Sequence, residues 1–174
     1  MIDNFISADT AGRTSSRPVL DLSGPRITSS FEKLLNASDE QGGVETFVTA
    51  IKFKNSVFQE VLKPENVQDL DKDTFLGLCA FTASVRRRIG AWIETQDFEK
   101  LRMHIVALMA GEADGSDVDT RMAKFCERFP HDRSHRWVRD LAAEFLHFSD
   151  MEKYPLMTRW VWDYAANTGV IREI

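Results

Sequence analysis

The chain has only two cysteines in 174 residues, and they do not form a Cys-x-x-Cys pair. That excludes a disulfide framework. Cys79 and Cys126 both sit in apolar, helix-like contexts and read as buried thiols in a reducing compartment. Long hydrophobic runs are also missing, since no stretch approaches the ~18–20 apolar residues of a membrane span. The N-terminus, Met1-Ile2-Asp3-Asn4-Phe5-Ile6, has no basic region before an apolar run and so does not read as a secretory signal. Acidic residues outnumber basic ones, 27 to 22. The formal charge is −5 with a pI near 5.4, which disfavours general nucleic-acid binding while leaving room for a local basic patch. No phosphate-binding glycine loop, Gly-x-Ser-x-Gly elbow, His-Glu-x-x-His or dinucleotide fingerprint occurs. These absences point to a cytoplasmic protein, and no catalytic, cofactor-binding or metal-binding residue is assigned.

What is present is ordinary core material, at 43% hydrophobic and 28% charged residues, enough for one domain without staples. Residues 1–27 stand apart. They are rich in Ser, Thr, Gly and Pro, contain no Lys and hold one apolar patch, Pro18-Val19-Leu20-Asp21-Leu22. They read as an extended or partly disordered arm that folds back on the domain or docks on another protein. Residues 28–174 read as a single helical domain.

The pattern turns helical at Thr28, with a short helix capped by Ser29-Ser30 running through Leu35. Gly42-Gly43 breaks the chain. Val44, Phe47, Val48, Ile51, Val57, Phe58 and Leu62 then follow helical spacing, with a kink expected near Asn55-Ser56, until Lys63-Pro64. The longest stripe runs from Asp71 or Asp73 to Ile93. It holds Phe75, Leu76, Leu78, Cys79, Phe81, Val85, Ile89 and Trp92, and its width predicts a central helix. Gly90 inside it costs ~1 kcal/mol against Ala and suggests a close crossing or a kink. Asp97 caps the next helix, and Val118, Met122, Phe125, Cys126 and Phe129 mark a fifth. Trp137, Leu141, Phe145 and Phe148 mark a sixth, starting at Pro130 or Ser134. A last helix starts at Pro155, with Leu156, Trp160, Val161 and Tyr164 inward, and ends at Gly169. No run alternates like a strand. The expected fold is all-α, a compact bundle of about six or seven helices with an extended N-terminal arm.

Several motifs hint at chemistry. Glu144 and His147 have the Glu-x-x-His spacing of di-iron bundles, but the second motif and the two further glutamates are missing, so the pair reads as a solvated acid and a locally bonded imidazole. His131 and His135 lie four apart beside Asp132 and would need His104 to begin a zinc site, so loop capping is the simpler reading. Residues 112–119 fail as a calcium loop because Ala110 and Arg121 fall where acids are required. Arg86-Arg87-Arg88 is the only basic run and would fan around a helix, pairing with Glu94, Asp97 and Glu99. Cys79 has no basic neighbour on its face to activate it.

The last third of the chain concentrates the large amphipathic residues. Trp137, Trp160, Trp162, both tyrosines and three of the four histidines follow residue 130. Within it, Leu146-His147-Phe148 followed by Tyr154-Pro155-Leu156 resembles a helix–loop–helix segment of helical DNA glycosylase-like proteins. That family's glycine-rich hairpin and catalytic lysine have no counterpart here, and no residue role is carried over. If Trp160 faces the core, Trp162 lies half a turn away and is exposed beside Arg159 and near Arg136 and Arg139. Exposed Trp beside Arg is hot-spot composition. The leading expectation is a non-enzymatic interaction or regulatory protein that binds a protein partner, or a second copy of itself, through Arg136, Arg139, Arg159 and Trp162. The alternative is a small enzyme or ligand-binding protein with a pocket between helices built from Glu144, His147 and Tyr164. DNA association through Arg86 to Arg88 is the third.

Overall fold

The computed structural model describes residues 24–110, 117–161, 163 and 169. Among them are seven α-helices and no strand: α1 (Gly24–Asp39), α2 (Gly43–Leu62), α3 (Lys72–Ala80), α4 (Ile89–Ile93), α5 (Phe98–Met109), α6 (Val118–Cys126) and α7 (Trp137–Ser149). No helix among them is long and apolar enough to cross a membrane. The segment preceding Gly24 lies outside the described residues. The caps follow short-range chemistry. Asp71, Asp97 and Asp117 each accept first-turn backbone N–H bonds, for α3, α5 and α6 respectively. Gly42 and Gly43, at φ +91° and +80°, turn α1 back along α2. A Cβ on Gly42 would sit 2.9 Å from Thr46 Oγ1.

α7 is the central helix. Trp137, Val138, Leu141, Ala142, Phe145, Leu146 and Phe148 are all buried, against α2, α5 and α6. Phe145 meets Phe58 and Phe75 edge-on, with centroids 5.8 and 6.2 Å apart. At the other end Trp137 packs on Trp92 at 5.2 Å and on Phe129 at 6.1 Å. One ion pair crosses this packing. Lys54 of α2 donates to Glu144 of α7, with both side chains only 14% exposed, and its ammonium lies 3.9 Å from the Phe148 ring centre. α2 runs unbroken past Asn55-Ser56.

Besides that absent kink, three expectations change. The stripe over 71–93 is not one helix and is not central. α3 stops at Ala80, and residues 81–88 continue in turns closed by Arg86 N–H to Thr82 O (3.0 Å) and Arg88 N–H to Val85 O (2.8 Å). This change of phase sends Val85 and Ile89 inward and leaves Phe81 exposed, edge-on to Phe53 and Phe58. A Cβ on Gly90 would meet nothing within 4 Å, so no close crossing requires the glycine. α1 is longer than expected. It starts with Pro25 in its first turn, where the missing N–H costs nothing, and continues to Asp39.

The third change is at the C-terminal end. Residues 155–158 are not helical, and Trp160, expected inward, is 74% exposed. The cause is Asp140. This buried carboxylate accepts the Arg159 backbone N–H at 3.1 Å and its guanidinium at 3.0 Å, which holds the segment across α7 instead of letting it coil. Trp162 and Tyr164 lie outside the described residues. With Trp160 exposed, an inward Trp160 no longer implies an outward Trp162.

Candidate arginine cleft

The segment from Phe129 to Arg136 joins α6 to α7 and faces Arg159 and Asp163. Between them lies a wide cleft of about 740 Å³. Its wall carries Arg133, Arg136, Arg139 and Arg159 together with His131 and His135, against two acids, Asp132 and Asp163. The local sequence explains the gathering. Asp132 caps a 3-10 turn over Arg133–His135, accepting the N–H groups of Ser134 (2.8 Å) and His135 (3.1 Å) and the His135 ring at 2.9 Å. The Ser134 hydroxyl also donates to it at 2.6 Å, and that bond first, then the others, holds its carboxyl at about 2. With that turn fixed, arginines at every third position, 133, 136 and 139, run from the turn into the first turn of α7.

Charge is not balanced along this wall. Arg159 is paired with Asp140, and Asp132 with His135. Arg133, Arg136 and Arg139 are exposed and have no carboxylate partner among the described residues. α7 itself starts without a side-chain cap, so the positive end of its dipole adds to the same field. Cys126 also lines the cleft. Burial pushes its thiol up, while the Arg139 charge pulls the other way.

The expected partner-binding residues Arg136, Arg139 and Arg159 are thus brought together. Arg133, His131 and His135 belong with them, beyond the expected set. The Arg-x-x-Arg-x-x-Arg spacing was the available signal. His104 lies elsewhere, on a second cavity, and no three His, Cys, Asp or Glu side chains among the described residues are placed to hold a metal ion. Glu144 is not solvated as expected but tied to Lys54, and the His147 ring bonds the Tyr154 carbonyl at 2.7 Å. Neither lines the two described cavities. Arg86 to Arg88 are exposed in the turn before α4, and their expected partners pair instead with Lys72, Lys100 and Arg102. Cys79 is fully buried, and its thiol is pushed far up by desolvation.

The fold and the cleft together define an all-α protein with a cationic surface depression. No protein-family model matches the chain, and neither a curated protein nor a solved structure is detectably similar to it.

Proposed function

We propose that this chain is a non-enzymatic interaction protein of regulatory type that receives an acidic segment of a protein partner in the arginine cleft. One observation carries the reading: three exposed arginines at three-residue spacing converge with Arg159 on one depression, with no carboxylate paired to those three among the described residues. Guanidinium groups bind carboxylates bidentately and tolerate partial burial, so such a wall suits Asp- and Glu-bearing peptide better than an apolar ligand. Trp160, next in sequence to Arg159 and largely in solvent, supplies the aromatic contact that interaction surfaces favour. The two cysteines and the acidic composition fit a reducing, cytoplasmic setting.

The test is a fluorescence titration of the full chain with a labelled Glu-rich peptide, a neutral peptide and a DNA duplex. The acidic peptide should bind, more weakly as salt rises. Arg136→Glu with Arg139→Glu should weaken binding at least tenfold while leaving the circular dichroism spectrum unchanged, because both side chains are exposed. Equal binding of the neutral peptide would overturn the proposal. Tighter binding of the duplex with a steep salt slope would replace it by the DNA reading.

A further inference from the structure

A second, separate cationic group lies between α5 and α6. Arg121 and Lys124 of α6 and Arg128 just beyond it occupy positions i, i+3 and i+7, which share one face of a helical turn pattern. His104 of α5 faces them. The four line a small cavity of about 90 Å³ floored by Leu108 and Phe125.

Arg121 is the informative member. It is 4% exposed, and its two terminal nitrogens donate to neutral acceptors, the Leu108 carbonyl at 2.6 Å and the Tyr154 hydroxyl at 3.1 Å. Its Nε is buried with no hydrogen-bond partner, and no carboxylate pairs with it among the described residues. A guanidinium does not lose its charge, and a buried charge ordinarily has a counter-charge. The other buried ions of this fold obey that rule: Asp140 has Arg159, and Glu144 has Lys54. The charged groups that share the cavity with Arg121 are instead basic. His104 registers the field, its pKa being lowered first by desolvation and then by the Arg128 charge.

We infer that His104, Arg121, Lys124 and Arg128 form a binding site for a compact oxyanion of the phosphate or sulfate type, taken up free or as the terminal group of a phosphomonoester. The cavity has room for a few waters at ~30 Å³ each, which suits a tetrahedral anion and excludes a nucleobase or a drug-sized ligand. An oxyanion there would accept from several N–H donors at once and supply the opposite charge that Arg121 lacks among the described residues.

The test uses the full chain in isothermal titration and thermal melts with sodium phosphate, sodium sulfate and O-phosphoserine, each against sodium chloride at matched ionic strength. Saturable binding of phosphate or sulfate with a rise in Tm is expected. Binding of O-phosphoserine as tight as phosphate assigns the site to a terminal phosphoryl group, and binding of the free ions alone assigns it to inorganic anion. Lys124→Ala with Arg128→Ala, both exposed positions, should keep the fold and lower the affinity at least tenfold. Arg136→Glu with Arg139→Glu should leave it unchanged, which separates this site from the arginine cleft. A Tm rise equalled by chloride, or an affinity unaltered in the Lys124/Arg128 variant, would overturn the proposal.

Discussion

α1 and α7 carry the same kind of pattern and meet opposite fates. Ile27, Phe31 and Leu34 form an apolar stripe on α1, as Trp137, Leu141, Phe145 and Phe148 do on α7. Yet Phe31 and Leu34 are 54% and 57% exposed, whereas the α7 stripe is buried throughout. The difference is in the surroundings. α7 has α2, α5 and α6 around it, while α1 has α2 as its principal neighbour. The first half of α2 shares the exposed condition, at Phe47, Val48 and Ile51, until Phe58 and Leu62 enter the core. An amphipathic period says which side of a helix is apolar. It does not say whether anything covers that side.

The contrast can be broken by substitution. The largest effect is expected for Trp137→Ala, at ~3–5 kcal/mol in denaturant unfolding, because the cavity would open among Trp92, Phe129 and the rest of α7. A loss below ~1 kcal/mol would remove α7 from its central place. Lys54→Ala should follow at ~3 kcal/mol, since it leaves the Glu144 carboxyl group without its partner and largely out of water. Adding Glu144→Ala should restore part of that loss, as a double-mutant cycle would show. Asp140→Asn should lose ~1.5–3 kcal/mol through its charged hydrogen bonds to Arg159 and should release the segment bearing Trp160, read as a change in tryptophan emission. The smallest effect is expected in the α1–α2 hairpin, where Phe31→Ala and Leu34→Ala should stay within ~0.5 kcal/mol. Hydrogen exchange would sharpen the same comparison. Amides of α1 should exchange through local opening, and those of α7 only with global unfolding.

Much of this fold was legible along the chain. Capping aspartates at 71 and 97, the Gly42-Gly43 break and the Lys63-Pro64 stop are local signals, and local signals survive folding. Long-range competition was not legible. The turn at 81–88 interrupts a stripe that reads as continuous, and which of Phe81 and Val85 is buried depends on what α2 presents there. The C-terminal end was hidden for the same reason, because a side chain nineteen residues upstream, Asp140, takes the Arg159 backbone N–H. The arginine cleft was half legible. Arg136, Arg139 and Arg159 stood out by composition, while Arg133, marked only by its three-residue spacing, is brought to them by the turn that Asp132 builds. Arg121 gave no sign, since nothing in its neighbours along the chain foretells burial without a carboxylate.

The ion pair between Lys54 and Glu144 has a mechanical side. It stands where α2 leaves the core, and the helix residues before it, Gly43 to Phe53, project roughly 16 Å at 1.5 Å per residue. Sliding α2 by one turn along α7 would carry the ammonium off the Phe148 ring and set two charges against hydrocarbon. The overhang is therefore a cantilever whose outermost clamp is Lys54, with Phe58 and Leu62 holding the same helix further in.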